Sequence, residues 1–397
     1  MDNITHSLVG AALAELAQPA GVTPRQRRVF ITAGVAAANL PDLDLVYTWI
    51  TPSPLGYLLH HRGHTHTVAG LAALAGIMAL ALRWWPEART MSRTWQGRLW
   101  GLIAINLGGH VSLDAFNSYG VHPFYPFDPR WYYGDAVFIF EPLIWVILGT
   151  AAAWNTTRRA VQMALAVLLA SLLILVLVAR IVPISAAGAV VVAGGLFIAA
   201  VRGARPRTRS SAALAITILF MGGMFGLSRL AKFVTAASRV GLDQIVDVIV
   251  TPDPGMPLCW TVIVVGRDLR TEEIRTSRGT LSLGGTWYPP DRCASYRLGG
   301  AAPAQGPSAH KIAWRDDFRQ SLGDFQELSR RDCWVSAWLR FGRAPVVRGD
   351  TIVDLRFESG VRNNFTAMPL ARDSSDGCPT NIPGWTMPRR DLVSPLH

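Results

Sequence analysis

The chain is 397 residues long, half of them hydrophobic and only 16% charged, with a mean hydropathy of +0.26. So little charge for that length excludes a wholly soluble globular protein and gives a membrane protein with a soluble part. The net charge of +11 does not make a nucleic-acid surface. Residues 1–239 carry 19 basic and 9 acidic side chains against 19 and 18 in residues 240–397, so the excess sits in short loops between apolar runs, where the positive-inside rule accounts for it.

In chain order, stretches apolar enough for the ~20 residues that cross a bilayer fall at 4–20, 29–50, 66–82, 99–116, 136–154, 160–179, 184–201 and 212–228. The first is short, and Asn39, Pro41, Asp42 and Asp44 interrupt the second, so these two read as tilted, broken or re-entrant. No basic residue precedes Arg25, so a cleavable signal peptide is not expected and the first segment stays in place. One set of alternate loops holds thirteen arginines (Arg25, Arg27, Arg28, Arg83, Arg89, Arg93, Arg98, Arg158, Arg159, Arg202, Arg205, Arg207 and Arg209), and the other holds three (Arg62, Arg130 and Arg180). That split makes the first set cytoplasmic and puts both termini outside. Lys232 and Lys311 are the only lysines in a chain rich in Ala, Arg and Gly, a composition of GC-rich prokaryotic genomes. The expected location is a prokaryotic cytoplasmic (inner) membrane, crossed several times.

Residues 229–241 read as a short amphipathic linker helix at the membrane surface. Beyond them, β-branched and aromatic runs at 245–250, 260–265, 334–341 and 351–357 predict strands separated by Gly and Pro, and residues 379–397 read as a loose tail. Cys259, Cys293, Cys333 and Cys378 all lie here, an even number that an oxidising compartment allows to pair, with the three pairings left open. The expected fold is an α-helical polytopic membrane domain of about eight segments plus a small β-rich extracytoplasmic C-terminal domain. Residues 1–145 would carry a metal site, 146–228 scaffold helices, and 229–397 the external domain.

Seven of the nine histidines fall within the first 122 residues, and six of them, with nearby acids, lie in four motif blocks: Thr5-His6, Asn39 to Asp44 (acidic, without histidine), His60-His61-Arg62-Gly63-His64-Thr65-His66, and His110-x-x-x-Asp114; His122 stands apart as a loop residue. His110 and Asp114 share one helix face, the spacing at which an imidazole and a carboxylate hold one ion. With 1.5 Å per helical residue, His6, Asp42, His66, His110 and Asp114 all reach about 17 to 24 Å from the arginine-rich side. An ionisable side chain in hydrocarbon is costly without a partner or a function, and five at one depth predict a shared metal. Residues 142–239 contain no Asp or Glu, so the later segments should only scaffold the site.

Read together, Met1-Asp2-x-x-Thr5-His6 with Gly10, Pro41-Asp42-x-Asp44, His61-Arg62-Gly63-x-Thr65-His66 and Gly109-His110-x-x-x-Asp114 running into Tyr119-Gly120 and Pro123-Phe124 resemble the YdjM-like family of membrane-bound metal-dependent hydrolases. More distantly they are similar to the zinc-dependent phospholipase C and P1 nuclease group. Thr67 stands where a Ser is usual, and the further HxxxE-type ligand pair of the soluble phospholipases is not evident after Asp114, so a three-zinc cluster is not carried over. The resemblance implies a membrane-embedded hydrolase.

The residues themselves support that chemistry. His6, Asp42, His66, His110 and Asp114 are the expected ligands of one or two divalent ions, zinc favoured and Mn or Fe compatible, since no cysteine is near. Asp44 would bridge metals, orient a ligand histidine, or position the attacking water. His61 joins it in catalysis, and Arg62 would bind a substrate phosphate bidentately. His64, Asp135 and Glu141 are supporting candidates. The expected substrate is a lipidic or polyprenyl phosphoester, drawn from the membrane lipids at the outer face. The alternative is a non-enzymatic scaffold or sensor with a structural metal site and a partner-binding external domain. A cation transporter would need ligands at both depths, and the inner halves of these segments are bare.

Overall fold

Local signals start and stop the helices. The Asp2 carboxylate accepts the N–H groups of Ile4 and Thr5 at the head of α1 (Asn3–Ala17), and Thr23 with Gln26 closes a capping box on α2 (Pro24–Asn39). Just past the end of α2 comes Pro41, which has no amide to donate, and the chain tightens into a 3-10 stretch, Leu40–Ile50. Next in order are α3 (Leu55–His60), a 3-10 turn (His64–His66), α4 (Val68–Arg83), α5 (Pro86–Arg89), α6 (Arg93–Ala115), α7 (Pro142–Asn155), α8 (Arg159–Val178), α9 (Ile184–Val201) and α10 (Pro206–Ala237). This computed structural model describes residues 1–238, 242–293, 311–358, 364–371 and 377–393.

Among the described residues, four helices are long and apolar enough to cross a membrane: Pro24–Ile50, Arg159–Val178, Ile184–Val201 and Pro206–Ala237. The pair Leu55–His66 and Val68–Arg83, bent by 69°, makes up to a fifth. By length and composition, then, four of the described helices qualify, or up to five with the bent pair, against the eight candidate segments expected from the sequence. α1 and α7 are 15 and 14 residues long, and α6 carries Arg93, Gln96, Arg98, Asn106, His110 and Asp114 along its 23 residues. The helices pack through small residues: a Cβ on Gly10 or on Gly34 would come within 2.7 Å of the other's carbonyl oxygen, so α1 and α2 touch backbone to backbone. Val167, Ile174, Leu175 and Val178 of α8 point outward and exposed, the side presented to lipid.

α10 runs unbroken to Ala237, so residues 229–237 are its last turns and not a separate linker helix; 239–241 lie outside the described residues. Four strands, β1 (Gln244–Asp253), β2 (Met256–Asp268), β3 (Glu273–Ser282) and β4 (Ile312–Ser321), form an antiparallel meander in chain order. β1 and β2 contain the predicted runs. β3 and β4 give no apolar signal because ion pairs, Arg275 with Asp317 and Arg278 with Asp316 at 2.6 Å each, join them. After α11 (Leu322–Arg331) and α12 (Cys333–Trp338), the strands β5 (Pro345–Arg348), β6 (Thr351–Asp354) and β7 (Met368–Pro369) make a second sheet, and α13 (Arg390–Val393) comes last.

Three sequence expectations fail here. The predicted strand at 334–341 is α12 and a turn: Asp332 accepts the amides of Trp334 and Val335, and Val335, Trp338 and Leu339 bury together at helical spacing. The strand predicted at 351–357 ends at Asp354, whose side chain accepts from Arg356 N–H and starts a 3-10 turn. The C-terminal segment is not loose over 379–393, and 394–397 lie outside the described residues. Trp385 is 1% exposed and donates to the Leu59 carbonyl, Asn381 donates to Ile50, and Thr51 donates to Thr380. Two of the three open disulfide pairings drop out: Cys259 is joined to Cys293 and Cys333 to Cys378.

An ionic clamp ties the two parts together. Arg343 reaches Asp135 at 2.8 Å and Asp247 at 2.8 Å, Lys232 of α10 holds Asp135 at 2.6 Å, and Arg389 lies 3.4 Å from Asp247. Burial works against the Arg343 charge, but the two carboxylates outweigh it and hold the guanidinium above its ordinary pKa. Arg343→Met should therefore destabilise the protein by about 1 to 3 kcal/mol, since it leaves Asp135 with Lys232 alone and Asp247 with Arg389 alone. Thermal unfolding in detergent reads this. Asp135→Asn added to Arg343→Met should cost less than the two single changes together, and strict additivity would mean the clamp is not coupled.

Candidate metal centre

The acidic 3-10 stretch after α2, the His60–His66 turn and the C-terminal half of α6 meet at the end of the helical bundle that faces the β-rich domain. At the opposite end, Arg27 and Arg209 bind the carbonyls of Asn155 and Trp154. Asp44, wholly buried, organises the turn: its Oδ2 accepts from the N–H of Arg62 at 2.7 Å, from Gly63 N–H at 3.3 Å and from the Thr65 hydroxyl at 3.1 Å. The same carboxylate faces His61 Nδ1 at 3.2 Å and His66 Nδ1 at 3.1 Å. Arg62 is forced to φ +60°, a strained conformation for a residue with a side chain, and its amide bond to Asp44 holds it there.

These contacts fix how the histidines point. The Thr65 hydroxyl gives its proton to Asp44 and so accepts from His66 Nδ1 at 3.1 Å, beside the Asp44 carboxylate, and the Ala38 carbonyl, which can only accept, takes His110 Nδ1–H at 2.7 Å. Each neutral ring then carries an unprotonated Nε2, and the two Nε2 atoms face one another at 3.1 Å. Asp42 Oδ1 lies 3.6 Å from His66 Nε2 and 3.4 Å from His110 Nε2; Asp114 Oδ2 lies 3.4 and 3.6 Å from the same atoms. All four donor atoms fall within 4.8 Å of one another. A tetrahedron with bonds of about 2.1 Å has edges of about 3.4 Å, and the distances between these donors cluster at that value. Asp114 Oδ2 is buried without a hydrogen-bond partner among the described residues, and the facing lone pairs repel unless a cation lies between them. The donor set fits a divalent metal.

Of the expected ligands, Asp42, His66, His110 and Asp114 form this group, while His6 sits one step away. Its Nε2 is 3.3 Å from Asp114 Oδ1, and its ring stacks on His110 with centroids 3.8 Å apart. The Met1 nitrogen also lies against Asp114 Oδ1. Asp42, Asp44 and His61 make a second potential ligand group that shares Asp42. Arg62 is buried and pairs with Asp114 at 3.0 Å and Asn117 at 2.9 Å, under the Tyr119 ring, so its guanidinium backs the centre from within. His64 is exposed and lies against Trp385, 5.0 Å between ring centroids. Asp135 belongs to the interdomain clamp, and Glu141 accepts the Gly255 amide at 3.1 Å.

Sequence reasoning missed the supports. Asn3 donates to Asp42 at 2.6 Å, and Asn39 donates to Ser7. Asn117 and Trp385 hold the other side. Asn117, three residues beyond Asp114 on the same strip of chain, was within reach of helical spacing. Trp385 carried no local signal.

Residues 1–184 match the family model for the YdjM inner membrane protein. A protein of Bacillus subtilis (strain 168), the uncharacterized protein YfhP, is 31% identical over 159 residues, which is 39% of this chain. The match spans 46% of that relative's length. No solved structure matches the chain.

Asp44 touches no metal donor atom of the four-residue group directly but orients His66, so Asp44→Asn should weaken metal binding by about 10- to 100-fold, whereas His110→Ala and Asp114→Ala should abolish it. Elemental analysis after dialysis against a graded series of chelators reads this order. Full metal retention by the Asp114→Ala protein would remove that carboxylate from the centre.

Proposed function

We propose, from the match of residues 1–184 to the family model for the YdjM inner membrane protein, that the protein is a membrane-embedded, metal-dependent hydrolase of a lipidic phosphoester at the outer face of the membrane. The observation that carries this reading is the pair of unprotonated Nε2 atoms, on His66 and His110, enclosed by Asp42 and Asp114. The chemistry a divalent ion, zinc first, supplies in such a donor set is activation of water and polarisation of a phosphoryl oxygen. The side chains do the rest. Asp44 holds His61 by Nδ1, which leaves His61 Nε2 to accept a proton as general base. His61 is 12% exposed and stacks against Tyr57, so, like Asp42 at 9%, it borders solvent where His66, His110 and Asp114 do not. Arg62 stands behind Asp114 as the cation that offsets the charge of a phosphoester.

A structural metal is the second reading, favoured by the near-complete burial of the four donors, of which only Asp42, at 9%, is appreciably exposed. A closed four-ligand site leaves no position for water. Purified protein in vesicles of phosphatidylglycerol and phosphatidylethanolamine separates the two: a hydrolase releases a phosphorylated head group, loses that activity on chelation and recovers it with one metal. His61→Gln should lower turnover by about 100-fold or more with metal content intact. Unchanged lipid in the presence of bound metal would favour the structural reading.

The thirteen-to-three arginine asymmetry and the two disulfides support an extracytoplasmic β-rich domain. A reporter fused after Val393 should be active only if it is one that works after export. Activity of a cytoplasm-only reporter at that position would reverse the orientation.

A further inference from the structure

Next to the metal centre, between the helical part and the β-rich domain, lies a cavity of about 220 Å³. Two of the side chains that line it, Asn117 and Tyr119, are the ones that pack on Arg62. Asn117 spends its oxygen on Arg62 and on the Tyr119 amide. Its Nδ2, and the Tyr119 hydroxyl, are buried without a hydrogen-bond partner among the described residues. With Glu358 Oε2, three buried polar atoms on one cavity wall lack a hydrogen-bond partner among the described residues, which is costly unless something in the cavity meets them. The charges of the wall are paired, Arg356 with Asp354 and Glu358 through Oε1 with Arg348, so what Glu358 Oε2 has left is an acceptor for a hydroxyl and not an uncompensated charge. The rim is apolar and open, with Tyr57, Ile139 and Phe365 exposed at 40, 43 and 44%. The volume is below the ~300–1,000 Å³ of a site for a whole drug-sized molecule, so it holds one part of a larger ligand.

We infer that this cavity binds the uncharged, oxygen-bearing part of a membrane amphiphile. Asn117 Nδ2 and the Tyr119 hydroxyl donate to its acceptor oxygen, and the rim takes the first carbons of its chain. A charged group would find no free counter-ion there, and a purely apolar one would leave both donors unmet. The inference rests on the proposed hydrolase for the chemical step after binding, and on the cavity alone for binding itself.

The test is native mass spectrometry of the full chain released from one amine-oxide detergent held at the same concentration in every arm, because its N-oxide oxygen is itself an acceptor that competes for the cavity. The probes are dihexanoylglycerol, its dihexyl diether and its 3-O-methyl diester. Saturable one-to-one binding is expected. If the diether binds and the methylated diester does not, the acceptor oxygen is a hydroxyl; the reverse identifies an ester carbonyl. Tyr119→Phe removes only a hydroxyl without a protein partner, so the fold should survive it, and binding should weaken about tenfold. Ile139→Trp at the rim should block binding and leave the metal content unchanged. Equal binding by the parent, Tyr119→Phe and Ile139→Trp proteins, or no saturable binding of any probe, would overturn the inference. Binding that tracks these variants while no lipid is ever hydrolysed would instead sink the hydrolase and leave the cavity standing.

Discussion

The structure turns on one buried negative charge. Asp44 is sealed from water, and a lone carboxylate there would be prohibitively costly. The chain meets that cost by bending the His60–His66 turn so that two amides, a hydroxyl and two imidazoles converge on it. The strained Arg62 backbone and the tautomer of His66 are both consequences.

Burial explains why the remaining donors are so tightly placed. In a polar surface site, solvent would compensate for loose geometry, and the ligands would need no outer partners. Here each donor is backed by something: Asn3 behind Asp42, Ala38 behind His110, Arg62 behind Asp114. Such backing fixes orientation before any ion arrives, which lowers the reorganisation that binding requires. Small-residue contacts such as Gly10 against Gly34 bring the helices close enough for these short side chains to meet.

The β-rich domain is part of that arrangement and not an appendage. Its C-terminal segment holds the carbonyls of Ile50, before α3, and Leu59, in the last turn of α3, and the Cys333–Cys378 bond fixes where that segment begins. Arg343 and Lys232 meet on Asp135 from the two sides of the boundary. The cavity walled by Asn117, Tyr119 and Phe365 exists only because both parts are present.

Periodicity and composition were enough for what depends on neighbours along the chain: the apolar helices, the two strands with β-branched runs, the candidate metal-ligating pair at i and i+4, and the even cysteine count. The four-donor group Asp42, His66, His110 and Asp114 was legible because hydrocarbon makes ionisable residues rare, so the few present stand out. What depends on neighbours in space was not legible. β3 and β4 are held by cross-strand ion pairs that leave no apolar pattern, and Asp332 turned a β-like run into α12. Trp385 docks on Leu59 across more than three hundred residues. The placement of Arg62 behind Asp114, and not at an open surface, was decided only by packing: the guanidinium lies where the Asp114 carboxylate, the Asp114 carbonyl and the Asn117 oxygen meet.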